Sequence, residues 1–128
     1  MTDERKIIPL PSAPTAAGHP RTFAARAGDF LFVSGLTAVD LASGAPRRGT
    51  TASETQQILT NLRELLEQEG SSLKKVVKVN VLLHSMLEAP NMNEVYARFF
   101  PDPPPARTVC GARLADGMKV VIECTALA

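Results

Sequence analysis

The stretch TASETQQILTNLRELLEQEG, residues 51–70, constrains the fold of this chain more than any other segment. Its apolar residues recur at intervals of three and four, which predicts an amphipathic helix. The letters TASE predict a capping box from Thr51 to Glu54, and Gly70 is expected to end the helix. The apolar stripe consists of Ile58, Leu59, Leu62, Leu65 and Leu66. A stripe of this width needs a second layer, such as a sheet, to cover it.

Residues 76–84, VVKVNVLLH, are predicted to supply a strand of that sheet. Apolar and polar positions alternate there, so one face of the strand is expected to be buried and the other partly polar. The expected inward residues are Val77, Val79, Val81 and Leu83, and the polar ones are Lys78 and Asn80.

Three further segments complete the predicted fold. TFAARAGDFLFVSGL, from Thr22, indicates a hairpin around Gly28-Asp29, whose second strand is broken by Ser34-Gly35. NMNEVYARFF predicts a second helix that PDPPP stops, and the closing RTVCGARL and MKVVIECTAL predict a hairpin that turns at ADG. Helix positions Met92, Val95, Tyr96 and Phe99 share one face. The order ββαβαββ predicts one α+β domain over residues 1–128.

Residues 1–20 contain four prolines and are predicted to be extended, without regular structure of their own. The chain has 14 Lys and Arg against 13 Asp and Glu, which argues against nucleic acid as a partner. No apolar run is long enough to span a bilayer, and no signal-peptide pattern occurs at the start, so we expect a cytoplasmic protein without membrane contact.

The cysteines and histidines do not suggest a metal site. Cys110 and Cys124 make no metal-ligand spacing with His19 or His84. Both cysteines are therefore predicted to be buried small hydrophobes. His84, at the end of a strand, is predicted to be a surface or satisfied histidine, and Arg47-Arg48 a solvated pair.

Two charged residues near the end of the sequence are the best candidates for chemistry. Arg107 follows three prolines at the start of a strand, where its guanidinium could bind a carboxylate through two hydrogen bonds. A salt bridge within its own chain is the alternative. Glu123 lies in a mostly apolar strand and must be either exposed or paired. Alternation places Val121, Glu123 and Thr125 on one face, and Val120, Ile122 and Cys124 on the other.

Four segments in this order resemble the Rid proteins, the reactive intermediate deaminases also called the YjgF or L-PSP family. They are AGDFLFVSG, TQQILTNLRELLEQEG, NEVYARFF and PARTVCGARLADGMKVVIECTA. The resemblance covers residues 20–128 and implies a chorismate-mutase-like fold, with a mixed sheet and two helices on one face. It also implies a homotrimer with clefts between subunits, which hydrolyses reactive enamines and imines of amino acids to 2-oxo acids and ammonia.

The resemblance also assigns residues to the expected site. Arg107 matches the residue that binds the substrate carboxylate, Ser34-Gly35 match the SG of the pocket floor, and Asn93 matches a pocket-lining position. No metal or organic cofactor is implied, because an imine is already electrophilic and needs only a placed water with a proton acceptor and a proton donor.

The chain departs from the family pattern at two positions. Arg21 stands where the family has a pocket tyrosine, and counting from the turn places Val121 where the family has its water-activating glutamate. The chain has one residue fewer than usual between Arg107 and the turn, so counting from Arg107 instead gives Ile122. Glu123 becomes a catalytic candidate if a bulge in the shortened strand shifts the register.

Three functions are therefore open at the level of the sequence. The first is a Rid-like deaminase with weakened or altered activity, and the second is a trimer that binds small carboxylates without catalysis. The third is an endoribonuclease or translation inhibitor, which the balanced charge and the lack of a His or Lys cluster do not support.

Overall fold

The computed structural model describes residues 4–11 and 21–128. These residues form a six-stranded sheet with two helices on one of its faces. The strands are β1 Lys6–Pro9, β2 Thr22–Ala27, β3 Phe30–Leu36, β4 Val76–Leu83, β5 Ala106–Gly111 and β6 Val120–Leu127, and the helices are α1 Thr51–Gln68 and α2 Ala89–Phe99. The strand order is β1-β2-β3-β6-β4-β5, and only β4 and β5 run parallel. The predicted α+β fold with a mixed sheet is confirmed.

The N-terminal segment is more regular than its prolines suggest. The prediction that it has no structure of its own is wrong for Lys6–Pro9, which pairs antiparallel with β2. Ile8 is buried in the core and gives this strand its hydrophobic anchor. Residues 1–3 and 12–20 lie outside the described residues.

The predicted C-terminal hairpin is also wrong. β6 does not pair with β5 but lies between β3 and β4, and β5 pairs with β4 at the edge of the sheet. Burial explains this order, because every second residue of β6 is buried whereas β5 is almost wholly exposed. A strand with a continuous apolar face gains most from a central position, where the helices above the sheet cover that face. The buried residues of β6 are Val120, Ile122, Cys124 and Ala126.

Two irregularities shift residues from their predicted places. Between Val76 and Lys78 the register with β6 jumps, so Val76 is buried and Val77, predicted to point inward, is 40% exposed. Ser34-Gly35 does not end β3. The pairing passes from Val33 with Cys124 to Leu36 with Ile122, which is a bulge with one extra residue on β3.

Helix α1 begins with a different cap from the predicted one. Thr50, not Thr51, is the N-cap, and it exchanges hydrogen bonds with Ser53 through both side chains. Glu54 is fully buried instead. Its two carboxylate oxygens accept from the backbone N–H of Gly49 at 3.1 Å and from that of Lys119 at 2.8 Å. Glu54 therefore ties the start of α1 to the segment that leads into β6.

The two faces of the sheet differ in what covers them. The predicted stripe of α1 is buried, as are Met92, Val95 and Tyr96 of α2, and together the helices cover one face. The opposite side, called the open face below, has polar side chains beside exposed apolar ones. The apolar residues there are Ile7, Phe30, Phe32 and Leu127, each between 40% and 49% exposed. Such a patch on a sheet is typical of a protein interface.

We expect Glu54→Gln to lower the free energy of unfolding by about 2 kcal/mol, because a neutral amide accepts more weakly and turns its NH₂ toward a backbone N–H. Urea denaturation measures this change. Glu64→Gln on the exposed side of the same helix is the matched control, and it should change the stability by less than about 0.5 kcal/mol. Equal losses in both variants would contradict a structural role for Glu54.

Candidate functional site

Arg107 projects from the edge strand β5 toward helix α2. Its Nη1 donates a hydrogen bond to Oδ1 of Asn93 at 2.7 Å, and its guanidinium lies 4.8 Å from the ring centroid of Tyr96. An aromatic face and an amide oxygen together fix the orientation of a guanidinium. The side chain is therefore positioned before any ligand arrives.

The charge of Arg107 is not neutralised by any residue that the structure describes. Among the residues described, no carboxylate forms an ion pair with it, so the predicted alternative of an internal salt bridge is absent there. Arg107 and Asn93 are exposed, whereas Tyr96 is only 5% exposed. Burial raises the pKa of Tyr96 to about 12, although the cation of Arg107 opposes the shift. The phenol is neutral and gives the guanidinium an apolar support.

A second group of residues lies where β3 and β6 approach the loop before α1. A Cβ on Gly35 would lie 3.0 Å from Cγ1 of Val121, so only glycine fits there without displacing the valine. Two cavities adjoin this contact. Gly35 lines the larger one, of about 280 Å³, and Val121 lines the smaller one, of about 190 Å³. Arg21 lines both cavities, whereas Ser34 of the bulge is not part of either lining.

The loop 37–50 forms one wall of these cavities and is held by its own arginines. Arg47 forms an ion pair with Asp40 at 3.4 Å, and Nε of Arg48 donates to the carbonyl of Asp116. The Ala42 amide, which donates to Asp40, lowers the pKa of that carboxyl group. Arg47 and Arg48 are exposed, as predicted, and each also donates a hydrogen bond that holds the loop.

Glu123 lies on the open face, as its alternation predicted. It is exposed, and its Oε1 accepts from Nδ2 of Asn80 at 2.9 Å on the neighbouring strand. Asn80 stands opposite Glu123, whereas the preceding residue, Val79, is buried beneath the helices and is the register partner of Arg107. Successive residues of a strand point to opposite faces. Arg107 and Glu123 of one chain are therefore on opposite sides of the sheet and do not form one site.

The cysteines differ from each other. Cys124 is buried as predicted, and burial raises the pKa of its thiol to about 12. Cys110 is exposed on the edge strand, so the prediction was wrong for this residue. His84 is exposed at the end of β4, and His19 lies outside the described residues. In the described ranges, no three His, Cys, Asp or Glu side chains form a group that could hold a metal ion.

The family model for endoribonuclease L-PSP matches residues 11–128 of this chain. The chain belongs to the Rid family. This Rid protein is 39% identical to the mitochondrial protein mmf2 of Schizosaccharomyces pombe, over 93% of its own length and 96% of that protein. It is 37% identical to the 2-iminobutanoate/2-iminopropanoate deaminase of Bos taurus, over 96% and 90% of the two chains. The crystal structure of RidA from a Psychrobacter species has a TM-score of 0.84 at 29% identity and covers 96% and 99% of the chains.

Tyr96 and Asp116 belong to these two groups of residues, although the sequence did not predict it. Tyr96 was expected only on the buried face of α2, yet it also supports Arg107. Asp116 was expected only in a turn, yet it lines the cavity that contains Val121. Asp116 has a positive φ of 59°, and no local pattern predicts which cavity such a turn residue borders.

No helix in the described part of the chain is long and apolar enough to cross a membrane.

Proposed function

We propose that this Rid protein hydrolyses reactive imines and enamines of amino acids to 2-oxo acids and ammonia. The observation that carries the proposal is the oriented guanidinium of Arg107, which has no carboxylate partner among the described residues. Such a group binds the carboxylate of a small substrate with directional hydrogen bonds. The deaminase names of relatives from cattle and from Arabidopsis thaliana support the same reaction.

A homotrimer with clefts between subunits is part of the proposal. Within one chain, Arg107 lies on the helix side of the edge strand β5, and the cavity lined by Gly35 lies three strands away at β3, about 14 Å at the usual strand spacing. A ligand that contacts both must therefore bridge two copies of the chain. The exposed apolar residues of the open face support self-association through that face.

The proposed reaction begins when Arg107 of one copy binds the substrate carboxylate. A water then adds to the carbon of the C=N bond, the imine nitrogen takes a proton, and the tetrahedral intermediate releases ammonia and leaves a 2-oxo acid. Asp116 is the carboxylate that lines the Val121 cavity among the described residues, and we assign it the role of proton acceptor. Arg107 lowers the entropic cost of the addition by holding the substrate in place.

A second candidate function is binding of small carboxylates without turnover. Val121 favours it, because the strand that borders the cavity contributes an apolar side chain where the resemblance placed a glutamate. An endoribonuclease finds less support, since the balanced charge gives no excess of cations for a phosphate backbone. Cytoplasmic localisation stays a prediction, and the relative in S. pombe is mitochondrial.

The deciding experiment generates imines in situ with an amino-acid oxidase in the presence of semicarbazide, which traps them competitively. If the protein is a deaminase, it reduces the rate of semicarbazone formation in proportion to its concentration. Saturable binding of 2-oxo acids, with no effect on the trapping rate, would instead support the non-catalytic function.

We expect the mass in solution at micromolar concentration to be three times the chain mass of 13.7 kDa. Phe32→Lys should shift this mass toward that of the monomer, because it places a charge in an apolar contact. Leu87→Lys, at a residue 88% exposed outside the sheet, is the control and should not change the assembly. Sedimentation equilibrium measures the mass of wild type and of both variants. A wild type that is only monomeric would contradict a cleft shared between subunits.

We expect Arg107→Lys to weaken binding of benzoate and of 2-oxobutanoate by about tenfold or more. The reason is that a single ammonium replaces a guanidinium, whose N–H groups can donate to both oxygens of a carboxylate at once. Calorimetric titration measures the affinities, and circular dichroism checks that the fold is retained. Arg98→Lys is the matched control, since the one described partner of Arg98 is Glu94, on the surface of α2. Equal affinities for wild type and Arg107→Lys would make Arg107 a structural residue.

Three carboxylate variants test the proton acceptor. Asp116→Asn should lower imine hydrolysis by about 10²- to 10⁴-fold, the usual effect of losing a general base, whereas Glu123→Gln should change it little. Val121→Glu should raise the rate, because a strand holds a carboxylate more rigidly than a turn does. Trapping rates with each purified variant measure the effects.

Two results would overturn this assignment. A loss of about 100-fold in Glu123→Gln would make Glu123 the proton acceptor, contributed to the cleft by another copy. An unchanged rate in well-folded Val121→Glu would show that position 121 does not face the reacting atoms.

A further inference from the structure

Among the described residues, Arg21, whose side chain is exposed, is the one ionisable residue that lines the larger cavity. The rest of the lining is mostly apolar, and its most buried polar residue is already satisfied. Asn61 is 5% exposed, and it donates to the carbonyl of Val39 at 2.8 Å and accepts from Gln57 at 2.9 Å. Apolar lining residues include Leu10, Leu36, Val39, Leu41 and Leu65. A ligand in this cavity would therefore meet apolar walls and one cation.

The guanidinium of Arg21 is not engaged elsewhere in the described part of the chain. Its backbone is held, because its carbonyl accepts from the N–H of Leu10 at 3.1 Å. No described group accepts a hydrogen bond from its side chain, whereas Arg26, Arg47 and Arg48 each donate to an oxygen of the protein. An arginine beside an apolar cavity with its donors free is suited to an anionic ligand.

The carboxylate that shares the smaller cavity with Arg21 does not line the larger one. Asp116 lines the smaller cavity together with Arg21, yet the two side chains form no ion pair, and Asp116 does not line the larger cavity. An anion in the larger cavity would therefore approach Arg21 without a carboxylate of the described residues in the same lining. The volume of about 280 Å³ suits a small metabolite rather than a large ligand.

We propose that Arg21 binds a second carboxylate of the substrate, so that this Rid protein prefers imines of acidic amino acids over imines with apolar side chains. Arg107 would bind the carboxylate next to the C=N carbon, and Arg21 of another copy would bind the side-chain carboxylate. The reaction is the same addition of water and release of ammonia, so this inference rests on the proposed function for its turnover. The bovine relative, by contrast, is named for 2-iminobutanoate and 2-iminopropanoate, which have a single carboxylate each.

The kinetic test compares a dicarboxylic imine with a monocarboxylic one in the semicarbazide assay. D-aspartate oxidase generates iminosuccinate from D-aspartate, and D-amino-acid oxidase generates 2-iminopropanoate from D-alanine. The imine carbon is trigonal, so the configuration of the amino acid has no influence. Wild type should show a kcat/KM at least about tenfold higher for iminosuccinate, the effect of one charge-assisted hydrogen-bonded pair.

Arg21→Met should remove this preference. It should lower kcat/KM for iminosuccinate by about 10- to 100-fold and leave 2-iminopropanoate nearly unchanged, while Arg21→Lys should recover part of the loss. Arg98→Met, a change of the same type at a surface ion pair, is the control and should alter neither substrate. Equal kcat/KM values for both imines in wild type, with the same result in Arg21→Met, would overturn the inference and leave the deaminase function standing.

A binding test separates the two proposals. In calorimetric titrations, 2-oxoglutarate should bind wild type more tightly than 2-oxobutanoate does, and Arg21→Met should lose that difference. If wild type hydrolyses neither imine but shows this dependence on Arg21, the deaminase proposal fails and the second carboxylate site stands. If 2-oxoglutarate binds wild type and Arg21→Met equally, the site is refuted whatever the kinetics show.

Discussion

The pairing of β6 with β3 on one side and β4 on the other is the constraint on which the remaining structure depends. This strand joins the N-terminal strands to the β4–β5 pair, and its inward residues form the centre of the core beneath both helices. Its register also places Val121 against Gly35. Glu54 reinforces this arrangement, because its carboxylate binds the backbone of Lys119, directly before β6. The sheet, the helix layer and the cavities are therefore fixed by one strand.

Local patterns predicted both helices and every strand except β1, but they could not predict the order of the strands. The periodicity of α1 and the alternation of β6 are properties of short windows, and both were correct. Strand pairing depends on burial summed over the whole sheet, so β5 and β6, although adjacent in sequence, are separated by β4. The cap of α1 shows the same limit. Threonines at positions 50 and 51 both offer a plausible cap, and the choice depends on Glu54, whose carboxylate accepts from the backbone of Gly49 and of the distant Lys119.

The sequence predicted a residue of the candidate site only where that residue and its immediate neighbours in the chain indicated a role. Arg107 was identifiable because a proline-rich segment places an arginine at the start of a strand, and Glu123 was correctly placed on the more polar face of β6. That these two residues lie on opposite sides of the sheet followed from the register of β4 with both neighbours, which no local pattern contains. Arg21, directly before β2, and Asp116, in the turn before β6, line one cavity although they are far apart in the chain, and such long-range contacts leave no periodic trace in sequence.

The two outer strands of the sheet disfavour the edge-to-edge association of copies of this protein into fibres. β1 has only four residues and ends at a proline, and β5 follows three prolines and has the cation of Arg107. Short edges with proline or a charge resist the addition of another strand. Joining sheets edge to edge can continue indefinitely, whereas a rotationally symmetric contact between open faces closes after a fixed number of copies. The chemistry of these edges therefore favours a finite particle over an open-ended polymer, even though four apolar side chains of the open face remain partly exposed on each chain.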